Sequence, residues 1–191
     1  MRDRVIRDEI HRDVLVPAHH ARIIDTHEFQ RLRNIQQLST CEFVFPSATH
    51  TRFAHSLGAY FLAGELTSSL QEVQPGLLSD SDAELVQIGA LLHDIGHPPY
   101  SHLLETPEVF ATFHSHEHWG RILLESEDSE IGQVLADVLG EERKQRLFAL
   151  LDGQQECNGV PIAPFLKEII SSQLDVDRMD YMIRDQANTC L

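Results

Sequence analysis

The sequence predicts a mostly α-helical fold, a helical bundle with a few short strands near its N-terminus. Apolar residues recur every three or four positions along most of the chain, which is the spacing of helices with one buried face. Only residues 3–7, 13–16 and 42–45 have the length and composition of strands. With 191 residues, 42% of them hydrophobic, the chain is large enough to form one domain with its own core.

Turn-forming residues interrupt the helical period and separate the predicted helices. The period covers residues 23–38, 57–70 and 85–95, and Ser81-Asp-Ala-Glu84 has the pattern of a capping box at the start of the third helix. Gly140 is expected to end a helix, and the turn-rich residues 153–164 to form a surface loop. The remaining helices are predicted at residues 117–125, 129–139, 141–152, 162–173 and 177–187.

The last predicted helix runs to Thr189-Cys190-Leu191 without a C-cap signal or a polar tail. We expect that this helix either continues in a longer chain or packs against a partner. An apolar patch is then expected on the surface where the continuation would dock.

The acidic composition limits the classes of function. The 30 Asp and Glu residues outnumber the 15 Lys and Arg residues, which gives a formal net charge of −15, so general nucleic-acid binding is not expected. No apolar run reaches the roughly 18–20 residues that cross a bilayer, and a signal peptide is not recognisable. We therefore expect no membrane association and a cytoplasmic location. Cys41, Cys157 and Cys190 fit neither a disulfide framework nor a C-x-x-C zinc site.

Ionisable residues with apolar neighbours concentrate at residues 49–58, 91–102, 114–118 and 174–181. In the second stretch, His93-Asp94 follows an apolar helix, and Gly96 and the prolines after it are expected to end that helix. An imidazole and a carboxylate are good ligands for Mn²⁺, Fe²⁺ or Zn²⁺, whereas Mg²⁺ prefers oxygen ligands. The dipeptide alone does not distinguish a metal site from a buried, hydrogen-bonded histidine.

The order of these motifs resembles the HD-domain phosphohydrolase superfamily, and within it the deoxynucleoside triphosphate triphosphohydrolases (dGTPase-like). The similar stretches, residues 23–38, 44–58, 92–97 and 175–185, extend over nearly the whole chain. The resemblance implies a single HD domain over residues 1–191 that continues, in the family, beyond residue 191. It also implies one divalent metal ion (Mn, Fe, Zn or Mg) held by His55, His93, Asp94 and Asp177.

The resemblance implies that a metal-activated water attacks the α-phosphorus of a dNTP, which yields a deoxynucleoside and triphosphate. The proton-donating histidines are then His102 and His116, with Glu117 or Glu105 as the orienting carboxylate, while His97 and His118 are alternatives. The neighbouring Asp175 and Asp180 are expected to cap the last helix or to face solvent.

The resemblance also gives residues that contact nucleotides. For the substrate these are Gln37 and Leu38 at the sugar, Arg52 and Arg178 at the phosphates, Tyr181 at the sugar, and Asp185 at the 3′-hydroxyl. Some family members are homo-oligomers activated by GTP or dGTP at a second site. There Asp25, Gln30 and Arg33, on one predicted helix, would read the guanine, and a solvated polar face is the alternative.

Two other functions share the metal ligands. One is another HD-type phosphomonoesterase or phosphodiesterase, which would not need Gln37-Leu38 or Asp185, and the other is a catalytically weak nucleotide-binding regulatory module. The residues Ser39-Thr-Cys-Glu42 replace glycines that the family has after Gln-Leu. Because later parts of the family's domain add substrate contacts, we expect a complete metal site but weak dNTP turnover from these 191 residues alone.

Overall fold

The prediction of a mostly helical fold is confirmed. The computed structural model describes residues 2–100 and 114–190 of the chain. These residues form eight α-helices: α1 (Ala18–Ile24), α2 (His27–Gln30), α3 (Arg52–Val73), α4 (Asp80–Leu92), α5 (His116–Glu125), α6 (Glu130–Leu151), α7 (Pro164–Ile170) and α8 (Val176–Thr189). None of them combines the length and apolarity needed to cross a membrane.

Two antiparallel hairpins accompany the helices. Strand β1 (Arg4–Asp8) pairs with β2 (Arg12–Val16), as the sequence predicts. The strand predicted at 42–45 is wrong, because residues 41–43 form a turn of 3-10 helix. A short pair that we did not predict, β3 (Glu156–Cys157) and β4 (Val160–Pro161), lies in the turn-rich loop, where Asn158 and Gly159 have φ values of 50° and 76°. Positive φ at both turn residues is what a two-residue hairpin turn requires.

Helix α3 lies at the centre of the fold and contacts both α4 and α8. It begins at Thr51, whose hydroxyl accepts a hydrogen bond from the Ala54 N–H at 3.3 Å. Its inner face buries Leu57, Tyr60 and Ala63. Three helices in mutual proximity can direct side chains toward a common point between them.

Helix α4 begins earlier than predicted, because Ser79 rather than Ser81 is its N-cap. The Ser79 hydroxyl accepts a hydrogen bond from the Asp82 N–H at 3.1 Å, which satisfies one of the free donors of the first turn. Leu85, Ile88 and Leu91 are buried along the helix. His93 is the C-cap, so this apolar helix ends in the His93-Asp94 pair.

The single helix predicted over residues 23–38 is wrong. Helix α1 ends at Ile24, α2 spans only four residues, and a 3-10 turn follows at Arg31–Asn34. Thr26 accounts for the first break, since its hydroxyl donates to the Ile23 carbonyl at 2.7 Å while its backbone is extended. A side chain that bonds the backbone locally competes with helix continuation.

Two helix ends bear on the other predictions. Gly140 has φ 72° and ψ 161° inside α6, so the two helices predicted on either side of it are confirmed as two helical segments.

The expectation that the last helix lacks a C-cap is wrong. Cys190 adopts a left-handed conformation with φ 60°, and its N–H donates to the Gln186 carbonyl. Met182 and Ile183 on α8 are exposed, and the docking of a continuation there stays a prediction.

Candidate metal centre

Three side chains from α3, the end of α4 and the first turn of α8 bring their ligand atoms together. His55 Nε2 lies 3.3 Å from His93 Nε2 and 3.0 Å from Asp177 Oδ1, and His93 Nε2 lies 3.6 Å from that same oxygen. Metal–ligand bonds of about 2.1 Å place neighbouring donor atoms roughly 3.0–3.4 Å apart. The first two separations lie in this range and the third is slightly longer, so the cluster is close to the geometry around a divalent ion.

Asp94 completes this group of four predicted ligands. Its Oδ1 lies 3.3 Å from His93 Nε2, and its Oδ2 lies 3.8 Å from His55 Nε2. The Arg52 Nη1 donates to Oδ2 at 2.5 Å and fixes the carboxylate. The structure thus brings all four residues together at one point.

The two histidines are oriented through their other ring nitrogens. His55 Nδ1 lies 2.8 Å from Asp180 Oδ2, and His93 Nδ1 lies 2.7 Å from the Ala90 carbonyl oxygen. A metal-ligating histidine almost always donates its second N–H to a carboxylate or a backbone carbonyl in this way. In both rings Nε2 is the atom directed at the centre, so the donor set fits a divalent metal ion.

The expectation that Asp180 caps a helix or faces solvent is wrong, because its carboxylate is fully buried. It accepts two hydrogen bonds from Arg184, both at 2.9 Å, and lies 2.7 Å from His11 Nε2. Gly58 makes this approach feasible, since a Cβ at that position would overlap the Asp180 carboxylate. Asp175, by contrast, is the N-cap of α8, as predicted.

Hydrogen bonds between the imidazoles and the carboxylates at the centre shift the pKa values of both. Burial opposes protonation of His55, but hydrogen bonds to Asp177 and Asp180 outweigh it and raise its pKa to about 10. Burial would raise the pKa of Asp177, but hydrogen bonds from His55 and His93 hold it well below the usual value. The Asp177 carboxylate is therefore ionised at neutral pH and supplies negative charge for a bound cation.

A cavity of about 480 Å³ opens beside the cluster and is lined by His93, Asp94 and Asp177. Seven other residues that the sequence predicts for catalysis or substrate binding line it: Gln37, Leu38, Arg52, His116, Glu117, Tyr181 and Asp185. Arg178 does not line it and instead donates to the Ser172 carbonyl at 3.2 Å. Its role in phosphate binding therefore stays a prediction without support from this geometry.

His97 and His116 lie next to Asp94. His97 Nε2 is 3.2 Å from Asp94 Oδ1, and the rings of His97 and His116 stack with centroids 3.7 Å apart. Burial, partly offset by Asp94, lowers the pKa of His97 to about 4, so this ring is neutral at pH 7. Glu117 Oε1 lies 3.5 Å from His116 Nε2. The predicted His102 and Glu105 lie outside the described residues.

Sequence reasoning missed several residues that hold the site. Arg31 donates to the carbonyls of Ile95 and His97, which fixes the loop after His93-Asp94. His50 Nε2 lies 2.9 Å from Asp185 Oδ1. The pairing of Asp180 with Arg184, four residues apart on one helix, is the only one of these contacts with a local signal in the sequence.

The residues of the predicted second nucleotide site do not lie on one helix. Asp25 is the C-cap of α1, Gln30 ends α2, and Arg33 lies in the 3-10 turn. Arg33 donates to Gln30 Oε1 at 2.8 Å, whereas Asp25 accepts two hydrogen bonds of 2.6 Å from Arg4. Thr26, the N-cap of α2, accounts for the break between Asp25 and the other two residues.

The helical bundle and the His/Asp cluster at the junction of three helices define a candidate metal-binding domain. The HD domain family model matches residues 52–185, and the chain belongs to this family. It is 38% identical to the human deoxynucleoside triphosphate triphosphohydrolase SAMHD1 over 95% of this chain and 33% of that protein. It is 39% identical to the uncharacterized protein MJ1154 of Methanocaldococcus jannaschii over 97% of this chain and 34% of that protein.

Among solved structures, a phosphohydrolase of Bacteroides thetaiotaomicron superimposes with a TM-score of 0.81 and 33% identity. The match covers 98% of this chain and 42% of that one. The chain thus spans about a third of the length of these curated relatives. The family membership supports a phosphohydrolase that binds a divalent metal ion.

Proposed function

We propose that this chain carries the metal centre and part of the substrate pocket of a deoxynucleoside triphosphate triphosphohydrolase. Its reaction would convert a dNTP into a deoxynucleoside and triphosphate. The observation that carries the proposal is the cavity of about 480 Å³ in which His93, Asp94 and Asp177 share the walls with Gln37, Tyr181 and Asp185. The name of the human relative supports the same reaction.

The metal ligands define the reacting end of the pocket. A bound divalent ion would polarise the phosphate and lower the pKa of a water molecule at its open positions. His55 and His93 supply nitrogen donors, while Asp94 and Asp177 supply charge that offsets the cation. This mixed set suits Mn²⁺, Fe²⁺ or Zn²⁺ better than Mg²⁺.

His116 is the described residue best placed to move a proton. When the bond between the α-phosphorus and the 5′-oxygen breaks, the 5′-oxygen of the nucleoside needs a proton. His116 stacks on His97, which fixes its ring plane, and Glu117 is close enough to orient the imidazole. Arg52, held on Asp94, adds positive charge beside the phosphates.

The opposite wall is suited to the deoxyribose. His50 holds Asp185 by a 2.9 Å hydrogen bond, which leaves the other carboxylate oxygen to accept from a 3′-hydroxyl. Gln37 Oε1 is buried and has no hydrogen-bond partner among the described residues, so it can accept from the sugar as well. Tyr181 lies one helical turn from Asp177 on α8 and joins the two ends of the pocket.

The proposal extends to regulation. A homo-oligomer activated by GTP or dGTP would use Asp25, Gln30 and Arg33, of which Gln30 and Arg33 are already hydrogen-bonded to each other. Adding GTP to the assay described next, and measuring the mass of the particle with and without it, tests this part separately.

The test is to incubate the purified chain with each dNTP and rNTP in the presence of Mn²⁺ or Mg²⁺ and to identify the products by mass. We expect a deoxynucleoside and triphosphate from dNTPs and little product from rNTPs. Monophosphate, pyrophosphate or orthophosphate as the first product would instead indicate another HD-type phosphohydrolase. Binding of dNTPs without any product would indicate a regulatory module.

Two variants separate chemistry from folding in this assay. Asp94→Ala removes a ligand carboxylate and should abolish both bound transition metal and turnover. Asp128→Ala, on the exposed turn before α6, should retain both. Full metal content in Asp94→Ala would contradict the assignment of the metal centre.

A further inference from the structure

A second cluster of metal-binding side chains lies where α1 meets α4. His19 Nε2 and His20 Nε2 are both directed at Glu84 Oε1, at 2.8 Å and 3.1 Å. The three ligand atoms all lie within 4.8 Å of one another. Glu84 lies nine residues before His93, the C-cap of α4. At 1.5 Å per residue the two positions are about 13 Å apart along the helix axis, so this cluster is separate from the metal centre.

Contacts with neighbouring side chains hold two members of this cluster in place. His20 is 2% exposed, and the Tyr60 hydroxyl lies 2.8 Å from its Nδ1, which fixes the ring with Nε2 toward Glu84. Arg143 donates to Glu84 Oε2 at 2.6 Å and so holds the carboxylate with Oε1 toward the two imidazoles. These outer contacts are of the kind that orient metal ligands.

The remaining side of the cluster is open. The His19 side chain is 50% exposed, and the Glu84 side chain is 26% exposed, so water can reach the point between the three donors. Two imidazoles and one carboxylate are the ligand set of many zinc sites that keep a further position for water.

We propose that His19, His20 and Glu84 form a second metal site, selective for Zn²⁺ or a similar late first-row divalent ion. The ion joins α1 to α4 and so stabilises the face of the bundle that carries Tyr60. Arg143 offsets part of the Glu84 charge, so the affinity is expected to be lower than at the four-ligand centre. The proposal does not depend on the reaction proposed above.

The experiment uses the full chain carrying Asp94→Ala and Asp177→Ala, which removes two ligands of the first centre. Zn²⁺ bound after dialysis is counted by elemental analysis, and Co²⁺ is added to a second sample to record its visible absorption. We expect one Zn²⁺ per chain and a tetrahedral or five-coordinate Co²⁺ spectrum. Adding His19→Ala should remove both signals.

Two controls make the result specific. His27→Ala removes another exposed histidine, and His118→Ala tests the separate pair in which His114 and His118 stack at 4.3 Å. Neither should change the zinc content. Zinc content unaffected by His19→Ala, or lost equally in the controls, would overturn the proposal.

Thermal unfolding gives a second readout, because an ion that binds only the folded state stabilises it. In the Asp94→Ala, Asp177→Ala protein, Zn²⁺ at about 100 times its Kd should raise the Tm by roughly 5–10 °C. The His19→Ala addition should remove this rise while leaving the Tm without zinc nearly unchanged, since His19 is half exposed. An equal rise with and without His19 would also count against the site.

Discussion

Asp180 links the metal centre to the rest of the protein. Its carboxylate holds His55 at 2.8 Å while it accepts from Arg184 and contacts His11. Asp180→Asn keeps the shape but removes the charge that favours the His55 tautomer with a free Nε2. We expect the Kd for Mn²⁺ or Zn²⁺ to rise about 10–100-fold, the usual effect of losing such an outer contact.

Metal titration of the purified variant checks this prediction, with Asp137→Asn as the control. Asp137 is exposed and pairs only with Arg22 at the surface among the described residues, so its loss should leave the Kd unchanged. An unchanged Kd in Asp180→Asn would show that the hydrogen bond to His55 does not contribute to metal affinity.

His116 gives a prediction that separates proton transfer from metal binding. His116→Ala should lower turnover of the dNTP that the assay identifies by about 10²–10⁴, the range for a lost general acid, while metal content stays at the wild-type level. His118→Ala, which removes a histidine outside the cavity lining, should leave turnover within a few-fold. If His116→Ala also loses the metal, His116 is a ligand or a structural residue instead.

That His55, His93, Asp94 and Asp177 lie together could be predicted from sequence, because their residue types and order carry the information. The role of Asp180 could not be predicted from sequence. Two of its three partners belong to other parts of the fold, and one of them, His11, is 169 positions away. His50 was missed for the same reason, because its partner Asp185 is 135 positions away. A pairwise contact between distant positions leaves no pattern in a single sequence.

At the scale of the helix, Gly58 allows α8 to approach α3. A Cβ at position 58 would overlap the carboxylate of Asp180 and the guanidinium of Arg184, both fully buried. We expect Gly58→Ala to lower the free energy of unfolding by about 1–3 kcal/mol, as overpacking does. Urea unfolding measures the loss, and metal affinity should fall with it.

Gly64→Ala is the matched control on the same helix. There a Cβ would meet only the amide of Gln87, the end of a flexible side chain, and alanine favours helix over glycine by about 1 kcal/mol. The change should therefore be small or stabilising. Equal losses in both variants would mean that the approach of α8 is not what makes Gly58 necessary.

Helix existence was easier to predict than helix ends. The apolar period placed α3 and α4 correctly, because each buries one long face. The break after α1 was missed because Ile23, Phe29 and Leu32 keep an approximately helical spacing across it, although Thr26 turns the chain. Ser79 was overlooked as the N-cap of α4 because Ser81 offers a similar pattern two residues later.

For the whole molecule, the pairing of Asp8 with Arg184 predicts a loss of stability in acid. Burial would raise the Asp8 pKa, but hydrogen bonds from Arg184 and from the His11 and Ile10 backbones hold it below its usual value of 3.8. The stabilisation is thus fully present above the unfolded-state pKa near 3.8, and it is lost as the pH falls through the lower folded-state pKa.

Urea unfolding at several pH values below 5 measures this effect. The free energy of unfolding should fall with decreasing pH less steeply in Asp8→Asn than in the wild type, since the variant lacks the carboxylate that takes up the proton. Asp128→Asn should retain the wild-type slope. Equal slopes in Asp8→Asn and the wild type would show that Asp8 does not contribute to the loss of stability in acid.

The contacts of Arg184 with Asp8 join positions 176 residues apart, and through Asp180 they reach His55. On a ribosome that adds about 5–20 residues per second, the later partner follows the earlier one by roughly 10–35 s. His55 and His93 are synthesised earlier in that interval, whereas Asp177 and Asp180, whose carboxylate orients His55, are synthesised at its end. We therefore expect the cluster to gain its full set of donor atoms only after α8 has been synthesised. A metal ion held by all four residues would then indicate that the two distant segments have met.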